Sequence, residues 1–355
     1  AYTYDANPGE ELDRRTKITR FTYDAAAGTI GGPVDLISGL SGSTDHNSGR
    51  MTFGPDGKLY YTIGDQGANY LKYYCVDNQA QVLPTSEQVA AQNWTAYQGK
   101  VLRMNSDGSI PEDNPEINGV KSHIFTYGHR NAQGIAVGPS GDLYISEHGD
   151  KSDDELNLLQ AGGNYGWPYV SGNNDDKAYQ FVNWSAAENC EDLTFNNIAP
   201  PPPGVPVMNE SEFEAPNFVP PVHTFSVVES DYNFTFPGCD YICWPSIAPS
   251  SLRLYQLDVI PGWENTFLMP TLKAGRILQL ALNENGTALS SEPVELFRSE
   301  NRYRDLAFGP DGRTIYVITD SDGSAQAIKG GATTDLWNPG SVLMFRYEGN
   351  SSIRQ

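Results

Sequence analysis

The most constraining feature of this sequence is a decapeptide that occurs three times along the chain. Its copies are Phe53-Gly-Pro-Asp-Gly-Lys-Leu-Tyr-Tyr-Thr62, Val137-Gly-Pro-Ser-Gly-Asp-Leu-Tyr-Ile-Ser146 and Phe308-Gly-Pro-Asp-Gly-Arg-Thr-Ile-Tyr-Val317. In each copy a Gly-Pro-x-Gly turn joins two apolar runs, because proline presets φ and glycine accepts a positive φ. The copies begin 84 and 171 residues apart, close to one and two lengths of a common unit. A repeated strand–turn–strand unit predicts an array of antiparallel sheets.

Further strands are predicted where apolar residues alternate or run together before a polar turn, at residues 18–24, 101–108, 277–283 and 342–349. Short antiparallel strands with regular turns are typical of a β-propeller. The decapeptide spacing is about twice a usual blade of ~40–45 residues, so the hairpins mark alternate blades or the blades carry long insertions. A short helix is predicted within residues 86–98. We interpret residues 1–355 as one propeller domain with a surface insertion at about 183–221, whose proline run 200–203 cannot pair as a central strand.

The charge balance limits the kinds of partner. The chain of 355 residues carries 23 Lys and Arg against 44 Asp and Glu, which excludes nucleic acid and anionic membranes as expected partners. Its 20 Tyr and 14 Phe exclude a disordered chain. The sequence contains no run of 18 apolar residues, so no membrane span is predicted.

The cysteines and glycosylation sequons favour an exported protein. The four cysteines are Cys75, Cys190, Cys239 and Cys243. A zinc site at Cys239 and Cys243 would need a second pair of Cys or His residues, and the sequence has no such pair there. A short disulfide between Cys239 and Cys243 is therefore predicted. Pairing of Cys75 with Cys190 is left open. Asn-x-Ser/Thr sequons lie at Asn93, Asn183, Asn209, Asn233, Asn285 and Asn350. The expected location is secreted or periplasmic.

An aspartate and a histidine, Asp45 and His46, stand at the entrance to the first decapeptide hairpin. Imidazole gains and loses a proton near neutral pH. A neighbouring carboxylate can raise its basicity and fix its orientation. If the chain is an enzyme, His46 is therefore the first candidate for a general base.

Several polar residues precede predicted strands. Arg130 and Asn131 offer a forked donor and an amide to carboxylate or carbonyl oxygens. Arg302 and Arg304 would point to one face of an extended segment, and Lys273 is a further isolated cation. An anionic ligand would explain the three cations. Each residue taken alone is explained equally well by an ordinary structural role. The arginines could form ion pairs, Asn131 could be a turn amide, and Lys273 could be a solvated loop residue.

Acidic, glycine-containing loops occupy residues 146–155, 162–168 and 171–176. Such loops supply the carboxylate and carbonyl oxygens that calcium binds, although acidic loops are more often simply solvated. Tyr241 and Trp244 lie beside the short cysteine pair and could form a stacking wall for a planar ligand or a sugar. A packed core aromatic is the commoner alternative.

Taken in order, these segments resemble the soluble PQQ-dependent glucose (aldose sugar) dehydrogenases, six-bladed β-propellers with four-stranded antiparallel blades. The resemblance extends from about Lys17 to Tyr347 and rests on the collective match of residues 45–50, 60–67, 128–131, 152–155, 162–168, 241–245, 262–265 and 301–305. It implies oxidation of an aldose such as glucose at C1 to the lactone. It also implies PQQ and Ca²⁺ as cofactors and an external electron acceptor such as a quinone, a cytochrome or a dye.

The resemblance also implies residue roles. His46 would take the proton of the C1 hydroxyl as hydride passes to the quinone, Asp45 would support it, and Arg130 would face the reacting carbonyl and the substrate. The other residues implied at the cofactor are Asn131, His148, Tyr241, Trp244, Ser246, Lys273, Arg302 and Arg304, the last three neutralising the PQQ carboxylates. The implied calcium ligands are the carbonyls of Gly149 and Asp150 for a catalytic ion, and Asp154, Glu155, Tyr165, Ser171 and Asp175 for a structural ion.

The sequence departs from the family pattern at three places. His148 and Asp150 replace the usual Gln and Pro, and the segment between Cys239 and Cys243 is shorter. The family also carries a further stretch before the matched part, which builds the first blade and supplies a substrate-site glutamine. We therefore expect a propeller whose N-terminal blade region is missing from this sequence, either absent or provided by a separate chain.

Two other functions stay open from the sequence. One is a non-catalytic, calcium-stabilised propeller that binds a glycan or a protein, and the other is a calcium-dependent hydrolase of the lactonase kind. Lys273, Arg302 and Arg304 together favour the dehydrogenase, because a lactonase needs carboxylates and asparagines around calcium. The preferred sugar, the electron acceptor and the formation of a homodimer are not determined by the sequence.

Overall fold

The computed structural model describes residues 1–349, and most of its regular structure is β-strand. The strands are β1 Tyr2–Asp5, β2 Arg14–Asp24, β3 Thr29–Ser41, β4 Ser48–Phe53, β5 Leu59–Ile63, β6 Lys100–Met104, β7 Glu116–Ile117, β8 Val120–Lys121, β9 Ile124–Tyr127, β10 Ala132–Val137, β11 Leu143–Glu147, β12 Asp154–Leu158, β13 Phe181–Val182, β14 Val207–Met208, β15 His223–Phe225, β16 Arg253–Tyr255, β17 Thr266–Pro270, β18 Ile277–Ala281, β19 Val294–Leu296, β20 Tyr303–Phe308, β21 Thr314–Thr319, β22 Ala325–Gln326, β23 Ala332–Thr333 and β24 Val342–Arg346. The helices are α1 Ser86–Ala90 and short 3₁₀ turns at Leu71–Tyr73, Thr95–Tyr97, Trp184–Ala186, Cys190–Asp192, Glu210–Glu212 and Asp240–Ile242.

The three decapeptides form the hairpins β4–β5, β10–β11 and β20–β21, as the repeat predicted. In the first hairpin Phe53 lies opposite Leu59, and Gly57 in the turn adopts φ +71°, a value that glycine reaches without steric cost. The other four predicted strands are confirmed as β2, β6, β18 and β24. The predicted helix is shorter than expected. It ends at Ala90 because Gln92 adopts the left-handed φ of +54°, which stops helical hydrogen bonding.

The first compact unit comprises residues 1–132, 160–170 and 181–219. It contains the antiparallel sheets β1-β2-β3 and β4-β5-β6-β9, and the short pairs β7-β8 and β13-β14. Ile18 and Leu40 from one large sheet share a buried core with Tyr61 and Leu102 from the other. Most of the predicted insertion at 183–221 belongs to this unit and is irregular, with short 3₁₀ turns and strand β14 within it.

The second compact unit comprises residues 133–159, 171–180 and 220 onward. Its sheets are β10-β11-β12-β15, β16-β17-β18-β19, β20-β21-β24 and the short pair β22-β23. Tyr144 and Phe267 anchor one buried core, and Tyr255 and Val317 anchor a second. Within the described residues, five antiparallel sheets of three or four strands thus follow one another along the sequence. This is the expected all-β architecture, while a sixth sheet and the single-domain assignment stay predictions.

Both cysteine pairs form disulfides, Cys75–Cys190 and Cys239–Cys243. The second confirms the prediction, and the first settles the pairing that the sequence left open. In residues 1–349 we find no helix long and apolar enough to cross a membrane. Four sequon asparagines, Asn93, Asn209, Asn233 and Asn285, are exposed and Asn183 is half-buried; Asn350 lies outside the described residues.

Removal of the Cys75–Cys190 disulfide is expected to destabilise the protein more than removal of Cys239–Cys243. The first bond spans 115 residues and the second spans 4. Loop-closure entropy therefore predicts a loss in the free energy of unfolding of about 5 kcal/mol for the first pair and about 2 kcal/mol for the second. Urea unfolding of the two double Cys→Ser variants measures the difference. Equal losses would show that chain entropy is not the main contribution.

Candidate active site

His46 lies in the first unit, in the loop between β3 and β4, where a buried carboxylate holds its imidazole. Nδ1 of His46 is 2.8 Å from Oδ1 of Asp65, a residue that closely follows β5. The two side chains are 9% and 1% exposed. When Asp65 is ionised, Nδ1 of neutral His46 must donate the proton, which leaves the lone pair on Nε2. This is the tautomer that a general base needs.

Asp65 is the centre of a complete hydrogen-bond network. Besides Nδ1 of His46, its carboxylate accepts the backbone N–H of Gly67 at 2.9 Å, Nδ2 of Asn78 at 3.1 Å and Nε1 of Trp167 at 2.7 Å. Burial alone would raise the pKa of Asp65. The charge and hydrogen bond of His46, the charge of Arg130 and the N–H of Gly67 instead lower that pKa below its usual range. The carboxylate consequently stays ionised where imidazole titrates.

The backbone at His46 is held in an uncommon conformation. Its φ is +41°, in the left-handed region that side chains other than glycine seldom adopt. A Cβ added at Gly64 would lie 1.9 Å from the His46 carbonyl oxygen. Gly64 therefore allows the loop to approach the end of β5 closely enough for His46 to reach Asp65.

Asp45 is the carboxylate that the sequence placed beside His46, but the Nδ1 partner is Asp65. Oδ1 of Asp45 accepts the backbone N–H of His46 at 2.9 Å and lies 3.7 Å from Nε2. Its side chain is 40% exposed. Asp45 thus lies on the Nε2 side of the ring, where a reacting hydroxyl would approach. Adjacency in the sequence suggested that Asp45 orients the imidazole. In this geometry the carboxylate that binds Nδ1 and can orient the ring is Asp65.

Arg130 and Asn131 lie in the same unit and contact the same residues. The Arg130 guanidinium lies 5.5 Å from the ring centroid of Tyr70 and 5.2 Å from that of Trp167. Its backbone carbonyl accepts the Asp65 N–H at 2.9 Å. Oδ1 of Asn131 accepts the N–H and the hydroxyl of Ser48 at 3.2 and 3.3 Å. The predicted residues His46, Arg130 and Asn131 are thereby brought together.

The second unit carries the predicted cations. Asp320 accepts Nε of Arg302 at 3.2 Å and both Nε and Nη2 of Arg304 at 2.7 Å. Nη1 of Arg302 also donates to the Ser324 carbonyl at 2.7 Å. One carboxylate serves two guanidiniums, so the pair keeps a local excess of positive charge. Each guanidinium retains a terminal nitrogen outside these bonds, which suits an anionic ligand. The prediction that both arginines point the same way is confirmed.

Lys273 is buried and tied to the loop that Cys239–Cys243 closes. Its Nζ donates to the Tyr241 carbonyl at 2.8 Å. Gln326 joins the same elements, since its N–H donates to the Lys273 carbonyl at 2.7 Å and its Nε2 donates to the Ile242 carbonyl at 2.9 Å. This arrangement fixes the lysine relative to the disulfide loop.

Tyr241 in this loop and Trp244, which directly follows the loop, differ in exposure. Tyr241 is 59% exposed and is accessible to a ligand. Trp244 is 6% exposed, donates Nε1 to the Phe234 carbonyl at 3.0 Å and packs edge-on against the Phe234 ring. Trp244 thus has the core packing that was the commoner alternative, and its contact with a cofactor stays a prediction.

Asp154 is fully buried and binds neighbouring protein groups. Oδ1 accepts the Gly149 N–H at 3.1 Å and the Ser246 hydroxyl at 3.0 Å. Oδ2 accepts the N–H groups of Ile247 at 2.6 Å and Ala248 at 3.3 Å. Burial raises the pKa of Asp154, while the charge of Lys273 opposes the shift. The carboxylate therefore ties the Gly149 loop to residues 246–248, and its role as a metal ligand stays a prediction.

Next to it lie further buried acids. Glu155 accepts the Gly172 N–H and Nδ2 of Asn157, both at 2.6 Å. Burial, followed by the charge of Glu147, raises the pKa of Glu155 well above its usual range, and burial raises the pKa of Asp153 to about 7. Buried carboxylates of this kind are neutralised either by a proton or by a bound cation. Among residues 1–349, however, no group of three or more His, Cys, Asp or Glu is arranged to hold a metal, so backbone oxygens would have to contribute.

The remaining predicted ligands are dispersed. Ser171 is buried and Asp175 is exposed in the second unit, whereas Tyr165 belongs to the first unit and accepts the Gln160 N–H. His148 donates Nε2 to the Pro249 carbonyl at 2.7 Å, and Asp150 pairs with Lys151 at 2.7 Å. None of these contacts tests the predicted ligand roles.

Sequence reasoning missed Asp65, Asn78, Tyr70 and Trp167. Asp65 and Trp167 both stand within segments that carry the family resemblance, which was the available signal. Their mutual hydrogen bond joins positions 102 residues apart, a pairing that local patterns do not reveal.

A family model described as Glucose / Sorbosone dehydrogenase matches residues 1–216 and 229–328 of the chain. Quinoprotein glucose dehydrogenase B of Acinetobacter calcoaceticus is 49% identical over 346 residues, covering 96% of this chain and 72% of that protein. Aldose sugar dehydrogenase YliI of Escherichia coli strain K12 is 27% identical over 324 residues, covering 86% of this chain and 69% of that protein.

Among solved structures, the PQQ-bound form of aldose sugar dehydrogenase from Streptomyces coelicolor aligns with a TM-score of 0.56 at 24% identity. The alignment covers 94% of this chain and 72% of that chain. This likeness shows that the five sheets belong to an all-β propeller fold. The family model and the 49% identical relative go further, and they show that the chain belongs to the glucose/sorbosone dehydrogenase family of oxidoreductases.

Proposed function

We propose that this protein oxidises aldose sugars of the glucose kind at C1 to the lactone, with PQQ and Ca²⁺ as cofactors. The observation that carries the proposal is the buried Asp65–His46 pair, which leaves Nε2 ready to accept a hydroxyl proton. The relative named quinoprotein glucose dehydrogenase B and the PQQ-bound neighbour support the choice of cofactor.

In the proposed reaction, Nε2 of His46 takes the proton of the C1 hydroxyl. Asp65 stabilises the resulting imidazolium through Nδ1, as its hydrogen bond and its ionised state allow. Asp45, beside Nε2, accepts a hydrogen bond from a sugar hydroxyl, and Arg130 donates to the oxygen on which charge develops. When bound, PQQ would supply the two-electron acceptor for the C1 hydride, and loss of that hydride together with the hydroxyl proton taken by His46 leaves a carbonyl at C1.

The residues of the second unit fit a tricarboxylate. Arg302 and Arg304 share one carboxylate and keep terminal guanidinium nitrogens outside that contact, and Lys273 places an ammonium in the same unit. These three cations would bind the PQQ carboxylates. The other residues proposed at the cofactor are Arg130, Asn131, His148, Tyr241, Trp244 and Ser246.

Calcium fits the acidic loops less completely. The carbonyls of Gly149 and Asp150 would hold an ion that acts as a Lewis acid, and Asp154, Glu155, Tyr165, Ser171 and Asp175 would supply a structural site. The raised pKa values of Asp153 and Glu155 support a cation near the second set, since burial of their charges is otherwise unfavourable. Asp154 is the weakest of these ligands, because four donors already occupy its oxygens.

Reconstitution tests the proposed function directly. The protein is incubated with PQQ and Ca²⁺, and sugar-dependent dye reduction is followed over a panel of aldoses, with EGTA-treated protein as the control. We expect turnover only when PQQ, Ca²⁺ and an aldose are all present. If PQQ causes no absorbance change and no turnover, the alternative of a non-catalytic calcium-stabilised propeller that binds a glycan or protein is favoured.

Replacement of Arg304 by glutamine is expected to weaken PQQ binding by about tenfold, because one charge-assisted contact to a carboxylate is lost. Fluorescence titration of the apo protein with PQQ measures the dissociation constant. Arg253→Gln is a matched control, since Arg253 also pairs with a carboxylate of this unit, that of Asp305 at 2.9 Å. Equal weakening by both variants would contradict a specific role for Arg304.

Three further proposals concern the setting of the enzyme. Two disulfides favour an oxidising compartment, so we propose a secreted or periplasmic location. We also propose an external electron acceptor of the quinone, cytochrome or dye type, and a homodimer that sedimentation would detect. A six-bladed ring stays part of the same proposal.

A further inference from the structure

Lys100 is a fully buried cation that the proposed reaction does not use. It stands at the start of β6, and its Nζ donates to the carbonyls of Gln79 at 2.9 Å, Ala80 at 2.8 Å and Gln98 at 2.7 Å. The three N–H donors of an ammonium are thus matched by three carbonyl oxygens. Burial lowers the pKa of Lys100 well below its usual range, whereas the three carbonyl oxygens favour the charged ammonium and oppose this shift. A buried lysine is unfavourable unless such contacts compensate it.

The carbonyls that Lys100 holds belong to two segments that contact the Asp65 network. Asn78 directly precedes Gln79 and Ala80. Its Oδ1 accepts the Ala80 N–H at 2.9 Å and its Nδ2 donates to Oδ2 of Asp65 at 3.1 Å. Asn78 is therefore fixed at one end by the segment that Lys100 binds and at the other by Asp65.

The second segment reaches the same place through the backbone. Gly99, between Gln98 and Lys100, donates its N–H to the Gly64 carbonyl at 3.0 Å. Gly64 directly precedes Asp65. The Lys100 ammonium thus connects two segments. Residues 78–80 include the side chain that binds the Asp65 carboxylate, and residues 98–99 bind the backbone of Gly64 next to Asp65.

We propose that Lys100 is a positioning residue for the catalytic base. Its ammonium fixes residues 78–80 and 98–99 relative to each other, and these hold the Asp65 carboxylate in line with Nδ1 of His46. The inference rests on the proposed role of His46 as base. An apolar residue of similar length would fill the space but would remove the ammonium from all three carbonyls, of which that of Ala80 would keep the Gly128 N–H.

The test compares Lys100→Met with the wild type in two measurements. In apo protein, NMR follows solvent exchange of the His46 Nδ1 proton, which the bond to Asp65 protects. We expect exchange about tenfold faster in the variant, as local opening becomes easier. In the loaded enzyme we expect kcat to fall by about 10- to 100-fold, the cost of a small misplacement of a catalytic group. The dissociation constant for PQQ should be unchanged, and the acid limb of the pH profile of kcat should shift.

Asn114→Ala provides a matched structural control. Asn114 is buried in the same unit and its Nδ2 also donates to two backbone carbonyls, those of Arg103 and Ser122. Neither bond leads to Asp65. This variant should lose stability without a change in Nδ1 exchange or in the pH profile, which separates positioning from general stabilisation.

Asn78→Ala tests the proposed connection without removing the ammonium. It should accelerate Nδ1 exchange by a similar factor, and the double variant with Lys100→Met should show less than the product of the two effects. Asn78→Ala also serves if Lys100→Met does not fold. Unchanged exchange in a folded Lys100→Met or Asn78→Ala protein would overturn the inference. If instead the wild type shows no PQQ-dependent turnover, the proposed function fails while the exchange measurement still decides the structural connection.

Discussion

Replacement of His46 by alanine is expected to lower kcat for PQQ-dependent sugar oxidation by about 10³-fold, within the usual contribution of a general base. Nε2 of His46 carries the lone pair that is proposed to accept the hydroxyl proton, because Nδ1 is bonded to the ionised Asp65. Methyl cannot accept a proton, so the chemical step is left to water. Single-turnover reduction of bound PQQ by glucose, followed by absorbance, measures the step directly.

The same variant should keep its affinity for PQQ, because the cations proposed to bind the carboxylates belong to other elements. His223→Ala is a suitable control, since His223 is half-buried on β15 and stacks edge-on with Phe225. It should retain turnover. The wild-type rate should fall at acid pH, where a protonated imidazole has no lone pair, and this fall should be absent from the residual rate of His46→Ala. Full turnover by His46→Ala would remove the residue from the role of base.

Asp65→Asn is expected to reduce kcat by about 10²- to 10⁴-fold, by analogy with the aspartate of a Ser-His-Asp triad. The asparagine amide can donate to Nδ1, which would place the imidazole proton on Nε2 and block proton acceptance. Asp45→Asn is the matched control, because Asp45 contacts His46 only through its backbone N–H and from 3.7 Å at Nε2. It should raise KM more than it lowers kcat. Similar kcat losses in both variants would contradict the separate roles.

Asp65→Asn should also change how stability depends on pH. The pKa of Asp65 is lower in the folded protein than its usual value, because the contributions of His46, Arg130 and Gly67 outweigh that of burial. The ionised carboxylate therefore stabilises the fold above the ordinary carboxyl pKa, and this contribution is lost as the pH falls through the folded value. Asparagine does not titrate. The difference in Tm between wild type and variant should consequently shrink on acidification.

The sequence was most reliable where a local rule decides the structure. The Gly-Pro-x-Gly turns and their flanking apolar runs predicted three hairpins, since turn chemistry and strand alternation act within ten residues. The helix at 86–98 was overestimated, because the left-handed backbone at Gln92 depends on its surroundings. Whether the sheets close into a ring depends on packing between strands that are far apart in the sequence. The repeat length and the composition do not specify this packing.

In the candidate site, the sequence predicted the histidine but not the carboxylate that binds its Nδ1. His46 was identified from its own chemistry, and adjacency suggested Asp45 as its carboxylate. In three dimensions Asp45 lies on the Nε2 side of the His46 ring, and Asp65 reaches Nδ1 because Gly64 lets the loop come close. Trp167 joins the same carboxylate from 102 residues away. Such contacts follow from the course of the chain through the fold.

The tether between Lys273 and the Tyr241 carbonyl has a consequence for how the protein should be produced. The loop that holds this carbonyl is closed by Cys239–Cys243, so we expect reduction of the disulfide to loosen the contact with the ammonium. In protein made in a reducing cytosol, we expect the His46–Asp65 pair to be intact, while the proposed contact of Lys273 with the PQQ carboxylates is weakened. A low yield of active enzyme from such a host would result from weak PQQ binding. We expect mild oxidation of the two thiols before PQQ is added to restore the activity.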